Sequence, residues 1–281
     1  MSEPARIAKH VVVLAALRRS GLVLVALAAL VGRVEAQEAV FHSTQSANLQ
    51  TATTIRGGLW MFEISHRFLP AIDEGSQALW GLDGPVNNRL GLAWAPTGWM
   101  MIGLLRSNLD DNLEPNLKVR FGGGSLGPVR FQVGAVGGIA FNIDAPEGDG
   151  VEGNESQFYG QLMVDLGLGD FALGIVPTGF HNPRIEDVEP VSTFALGLHG
   201  QYYVARGFSV LAEWVMSVES VAYPYDGVSG GIEFETRGHF FKLLVTNQVR
   251  MNPTQYLVGT PFDYRADALR LGFNITRVLS F

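Results

Sequence analysis

Over most of the chain, apolar and polar residues alternate with a period of two. Trp60, Phe62, Ile64, His66 and Phe68 oppose Met61, Glu63, Ser65 and Arg67, which gives a strand with one aromatic, apolar face and one polar face. The pattern returns in Leu117, Val119 and Phe121 against Lys118 and Arg120, in Val129, Phe131 and Val133 against Arg130 and Gln132, and in Phe158, Leu162 and Val164 against Gln161 and Asp165. Later, Phe208, Val210, Ala212 and Trp214 oppose Ser209 and Glu213; Ile232 and Phe234 oppose Glu233 and Glu235; Phe241, Leu243 and Val245 oppose Lys242 and Thr246. This periodicity predicts about twelve strands, beginning near residues 55, 86, 99, 115, 128, 156, 171, 192, 208, 229, 239 and 266.

The connections alternate as well. Long polar segments (69–85, 107–114, 143–155, 179–191, 218–228 and 249–265) are interleaved with tight turns (96–98, 122–127, 167–170, 205–207 and 237–238), so every long loop falls at one end of the sheet. Short turns at one end and long loops at the other are the asymmetry of a transmembrane β-barrel. A spanning strand must pair every backbone N–H and C=O, which a closed ring achieves. The expected fold class is all-β, an antiparallel transmembrane β-barrel over residues 55–281. No charge-free apolar segment after residue 37 reaches 18 residues, since 90–105 is broken by Pro96-Thr97-Gly98. A soluble sandwich also alternates, but it does not account for Trp60, Trp94, Trp99 and Trp214 at or near strand ends, where interface girdles sit. Both parities of strand 99–107 are apolar, so its facing is left open.

Residues 1–36 read as an export signal. A basic head with Arg6, Lys9, Arg18 and Arg19 precedes the apolar stretch 21–31 and a small-residue site, Val34-Glu35-Ala36. Composition then narrows the function classes. With no cysteine among 281 residues, disulfide staples and cysteine zinc sites are excluded. The whole chain carries 20 Lys and Arg against 27 Asp and Glu, and 5 and 2 of these lie within residues 1–36, leaving a net charge of −10 beyond them. With no run of Lys and Arg either, nucleic acid is not expected as a partner.

Two segments resemble an uncharacterised family of bacterial outer-membrane β-barrel proteins: Ile64-Ser65-His66-Arg67-Phe68, and Gly81-Leu82-Asp83-Gly84-Pro85 running into Asn88-Arg89-Leu90-Gly91-Leu92. Arg106-Ser107 followed by Leu117-Lys118-Val119-Arg120-Phe121 is similar to the next stretch of that pattern, so the likeness covers roughly residues 60–121. The C-terminal alternation of Leu269, Leu271, Phe273, Ile275, Leu279 and Phe281 resembles the closing strand of outer-membrane proteins. In that class the terminal aromatic, here Phe281, belongs to the signal read by the barrel-assembly machinery. The resemblance implies a single barrel in the outer membrane, in contact with lipid and lipopolysaccharide, and no activity. Arg277 departs from the apolar parity and is expected to snorkel to headgroups.

Candidate chemistry is sparse. Gly227-Val228-Ser229-Gly230-Gly231 has the letters of a nucleophile elbow, but it leads into a strand and not a helix. Ser65 and His66 point to opposite faces. A lipid hydrolase is therefore an unfavoured alternative, and no enzyme is expected. His42, His66, His181, His199 and His239 lack ligand spacing, and no metal or cofactor is expected. The acidic loop residues Asp110 and Asp111, Glu147, Asp149, Glu152 and Glu155, and Glu186, Asp187 and Glu189 lack the spacing of a calcium loop.

By parity, Arg67, Arg89, Lys118, Arg120, Arg130, Lys242 and Arg270 share the lumen with Glu63, Asp165, Glu213, Glu233 and Glu235. Asp83 is a candidate to clamp its loop onto Arg67 or Arg89. Lumen-side Gly91, Ala93, Ala95, Gly134, Gly138, Ala172, Gly174 and Gly197 argue for open space. The expectation is a monomeric, passive, porin-like channel for small solutes; the alternative is a non-conducting structural or partner-binding barrel. The polar segment 37–54 either plugs the lumen or hangs free.

Overall fold

A computed structural model of the chain describes residues 39–144, 156–184, 191–217 and 223–281. The export signal at 1–36 and the acidic residues Glu147, Asp149, Glu152, Glu155, Glu186, Asp187 and Glu189 lie outside the described residues. Twelve strands follow in order: β1 (Trp60–Phe68), β2 (Val86–Thr97), β3 (Met100–Ser107), β4 (Asn112–Leu126), β5 (Val129–Asn142), β6 (Ser156–Leu168), β7 (Phe171–His181), β8 (Ser192–Ala205), β9 (Phe208–Ser217), β10 (Gly227–Thr236), β11 (His239–Thr246) and β12 (Arg270–Leu279). Each pairs antiparallel with its sequence neighbours. The ring closes by β1 against β12, in register from Trp60 with Leu279 to Arg67 with Gly272. Closure leaves no edge strand, so the wall satisfies its own backbone.

The wall alternates as its sequence does. Leu90, Leu92, Ile102, Leu104, Leu117, Phe158, Leu173, Ile175, Phe194, Trp214 and Leu243 are all more than a third exposed on the outside. An apolar exterior of this extent is what lipid covers. Trp60 and Trp94 face each other across β1 and β2, with ring centroids 6.1 Å apart, near the short-turn end. Towards the long-loop end, Trp214 donates its indole N–H to Asp226 at 2.9 Å.

Several expected boundaries shift. β1 begins at Trp60 because residues 56–59 form a turn whose Leu59 and Gly58 bond to Arg56 and Ala95. β4 begins at Asn112, which shortens the second long loop to 108–111. β12 begins at Arg270, after a short 3-10 turn at Ala266–Ala268. The facing of β3 is settled: Met101, Gly103, Leu105 and Ser107 point inward, and Ile102, Leu104 and Arg106 outward. Its inner face is apolar because Met101 packs with Ile55, Ala93 and Ala95 inside the barrel.

Most of the small inward residues do not make open space, which corrects the expectation drawn from them; Gly91 and Ala93 line a cavity of about 40 Å³. A Cβ on Gly197 would overlap the side chain of Leu49, and one on Gly134 would lie 3.4 Å from Ala52. Ala172 packs against Val40 and Phe41. Gly134, Gly197 and Ala172 make room for other segments of the chain, which enter the lumen from both ends, whereas Gly138 and Gly174 make room for the wall side chains Tyr159 and His199.

Candidate functional site

From the short-turn end, residues 39–55 run into the lumen and double back. Gln45 and Gln50 pair antiparallel, the Ser46 N–H bonds to the Leu49 carbonyl at 2.8 Å, and the Thr51 N–H to the Thr44 carbonyl at 3.1 Å. Thr51 and Thr53 hydroxyls tie the returning arm to the Ser43 and Phe41 carbonyls at 2.8 and 2.6 Å. This stretch has no Asp, Glu, Lys or Arg between Phe41 and Ile55. The charges are supplied by the wall, and each sign finds its complement in the hairpin backbone.

Cationic side chains take carbonyls. Lys118 donates to the Thr44 carbonyl at 2.7 Å, and Lys242 to the Gln45 carbonyl at 2.6 Å and the Ser43 hydroxyl at 2.9 Å. Arg67 reaches the Asn48 amide oxygen at 3.0 Å, and Asn274 the Ala47 carbonyl at 2.8 Å. Carboxylates take N–H groups. Glu213 accepts from Asn48 and Leu49 at 2.9 and 2.8 Å, and Asp165 from Ala52 at 2.7 Å. Lumen charges of both signs are thus met by the donors and acceptors of the hairpin backbone, and others by each other, as Lys242 with Glu233.

From the long-loop end, the β11–β12 connection descends, and 248–260 is buried except for Arg250. It carries a short α-helix, α1 (Pro253–Tyr256), with all four residues buried. Asn87 donates to the Val249 carbonyl at 3.0 Å, the Thr254 hydroxyl to Glu114 at 3.0 Å, and Gln161 to the Tyr256 hydroxyl at 3.3 Å. The two inserted segments meet. Leu49 and Ala52 of the hairpin form one apolar cluster with Tyr256, Leu257 and Val258 of the loop, walled by Val136, Met163, Val176 and Val215. Arg89 joins them by polar contacts, ion-paired with Glu63 and donating to Gln45 of the hairpin at 3.1 Å and to the Met251 carbonyl of the loop.

Of the residues assigned to the lumen by parity, Arg67, Arg89, Lys118, Asp165, Glu213, Glu233 and Lys242 are buried inside it. Glu233 pairs with Lys242 at 3.1 Å and accepts from Gln201 at 2.7 Å. Arg130 bonds to the Ala39 and Gly169 carbonyls, and Arg120, half-buried, to the Gly98 carbonyl at 2.9 Å, both near the short-turn rim. Glu235 meets His42 at 2.6 Å at the short-turn mouth, which holds a cavity of about 1060 Å³. Arg270 sits at the opposite rim, on the Leu69 and Ala268 carbonyls and over the Phe262 ring.

The Asp83 clamp does not form. Asp83 is exposed, Arg89 is engaged by Glu63, and Arg67 by Asn274 and Asn48, because both arginines project to the lumen and not to the loop above. Phe281 lies beyond the end of β12 and is fully exposed. Ser229 points inward to the Thr246 hydroxyl at 2.8 Å, whereas His66 faces outward on the Phe273 ring at 4.5 Å, so no serine–histidine pair arises from them. Among the described residues, no group of three or more His, Asp or Glu is placed to hold a metal ion.

The inserted 248–260 loop went unread in the sequence. Its signal is compositional: Gln248, Asn252, Thr254, Gln255 and Thr260 with a single charge, Arg250, resemble the hairpin in polarity and lack the acids of the other long loops.

Residues 41–279 match the family described as a membrane bound beta barrel domain (DUF5777). No curated protein matches the chain. Among solved structures, the NanC porin is similar over 79% of this chain and 99% of its own, at 8% identity and a TM-score of 0.46. Outer membrane phospholipase A from Escherichia coli is similar over 79% and 90%, at 11% identity and a TM-score of 0.41. OmpT, an outer membrane protein of Vibrio cholerae, is similar over 79% and 98%, at 10% identity and a TM-score of 0.39. The strand pairing, and not these likenesses, establishes the barrel.

Proposed function

The chain belongs to the membrane bound beta barrel domain family, and from that premise we propose that it is an outer-membrane barrel, short turns towards the periplasm, whose pore for small solutes is shut at rest by its own hairpin. The observation that carries this reading is the bonding of Lys118, Lys242, Asp165 and Glu213 to the backbone of residues 44–52. A wall this polar is wetted once the hairpin leaves, and a lining of mixed sign selects weakly between ions. Beside Glu63 and Lys118 lies a cavity of about 40 Å³, room for a few waters, and a second of about 170 Å³ lies between the hairpin and the wall at Phe240 and Thr276. The filled lumen favours a gated form of the porin-like channel.

One observation favours a second reading, a permanently sealed barrel that serves as a scaffold or binds partners. The apolar cluster of Leu49, Tyr256 and Leu257 joins the two inserted segments at the centre, and water entry there would expose it. Solute-driven swelling of liposomes separates the two. Four proteins are compared: the chain from residue 37, one lacking 39–54, one with 249–259 replaced by a short glycine-serine link, and one with both changes. The gated reading expects no swelling from the first and rapid swelling from the one lacking 39–54. A folded, heat-modifiable variant lacking 39–54 that admits no solute supports the sealed barrel instead.

A further inference from the structure

The outward face of β12 carries a charge among apolar neighbours. Arg277 is on the parity of Phe273 and Ile275, opposite Phe62 of β1 and His239 of β11, two residues before the strand ends. It is exposed and touches the imidazole of His239, itself stacked at 5.6 Å on Phe241. No ion pair among the described residues includes it. A guanidinium on a lipid-facing wall is tolerated where it reaches the headgroup layer, and phosphate is the abundant anion at that depth.

The rim around it is unpaired in the same way. Arg56 ahead of β1, Arg206 in the β8–β9 turn and Arg237 in the β10–β11 turn are exposed, and none forms an ion pair among the described residues. With Arg277 they follow one arc of the short-turn rim, from β8 round to β1. Glu235, the acid of the same β10–β11 hairpin, is taken by His42. At the long-loop end the arginines have protein partners: Arg106 with Asp111, Arg265 with Asp263, Arg250 with the Tyr223 hydroxyl, and Arg270 with two carbonyls.

We infer that this arc is a binding site for anionic phospholipid, with the headgroup phosphate held by Arg277 and His239 and the neighbouring arginines adding attraction for net negative charge. Arg277 and His239 lie on the outer wall, and Arg206 and Arg237 at the edge of the short-turn mouth, so the phosphate contact does not depend on whether the lumen opens.

The test is lipid retention by the folded chain, read by native mass spectrometry after extraction from phosphatidylcholine vesicles containing phosphatidylglycerol. The expected result is enrichment of phosphatidylglycerol, reduced about fivefold by R277Q, since one arginine near an anionic surface contributes about that factor, and unchanged by R106Q at the other end. Because R277Q lies within a strand, R237Q in the exposed turn is a second variant, expected to weaken retention with the barrel's heat-modifiability intact. Equal retention of both lipids, or enrichment that survives R277Q and R237Q, overturns the proposal. Displacement of the retained lipid by inorganic phosphate assigns a free-anion site and also overturns it.

Discussion

Glu213 receives the Asn48 N–H on both carboxylate oxygens, at 3.1 and 2.9 Å, across 165 residues of sequence. The same carboxylate takes the Leu49 N–H, so the tip of the hairpin is fixed to β9 by an anion that has few other partners inside the barrel. Hydrogen bonds to a charged group contribute about 1.5–3 kcal/mol each. Glu213→Ala is expected to free the tip while the barrel stays closed, and amide exchange at Asn48 and Leu49 should speed up at least tenfold. Unchanged exchange at both amides would mean that the tip is held by other contacts.

The chain has no cysteine, so a single thiol reports on the hairpin without background. Ser46→Cys is buried at the tip and is expected to react slowly with a water-soluble maleimide in the folded protein. Adding Glu213→Ala should raise that rate severalfold. Fast labelling of Ser46→Cys alone contradicts a resident hairpin.

Gly197 is small because Leu49 occupies the space its side chain would take. Gly197→Val should expel the hairpin tip, raising proteolysis between residues 39 and 55, and Leu49→Ala should restore protection in the double variant. Equal protease resistance in all three proteins would show that the contact does not position the tip.

Arg89 and Glu63 form a buried pair that also reaches Gln45 and Met251. Removing one partner leaves an uncompensated charge, at a cost of about 3–5 kcal/mol, whereas removing both costs much less. Arg89→Met is therefore expected to lower the unfolding midpoint in urea more than Arg89→Met with Glu63→Gln. Asp83→Ala, at an exposed position, should leave the midpoint where it is. A larger effect from Asp83→Ala than from Arg89→Met would reinstate the loop clamp.

The wall was legible because it stands between two media. Each strand shows one face to lipid and one to a polar interior, and the period of two records this from Trp60 to Phe68 and again from Phe208 to Trp214. β3 escaped because Met101 and Leu105 face an interior that is locally apolar around Ile55 and Ala93. The contents of the lumen were legible only in part: the segment 37–54 stands between plug and free tail, and 248–260 reads as an outer loop. Residues 39–55, apart from the exposed His42, and 248–260 are held by scattered apolar contacts and by polar contacts with partners such as Gln132 and Glu114, 92 and 140 residues away, and such burial leaves no hydrophobic period behind. Gly134 and Gly197 showed that space is needed on the inner face, but a glycine does not record whether water or Leu49 fills it.

The central claim is that the lumen is shut in the folded chain, and single-channel current across a planar lipid bilayer tests it most directly. The chain from residue 37, inserted and verified as a folded barrel, is expected to hold a silent baseline at moderate voltage in salt solution. Steady, reproducible conductance steps from that unmodified chain would contradict it and return the protein to the passive channels.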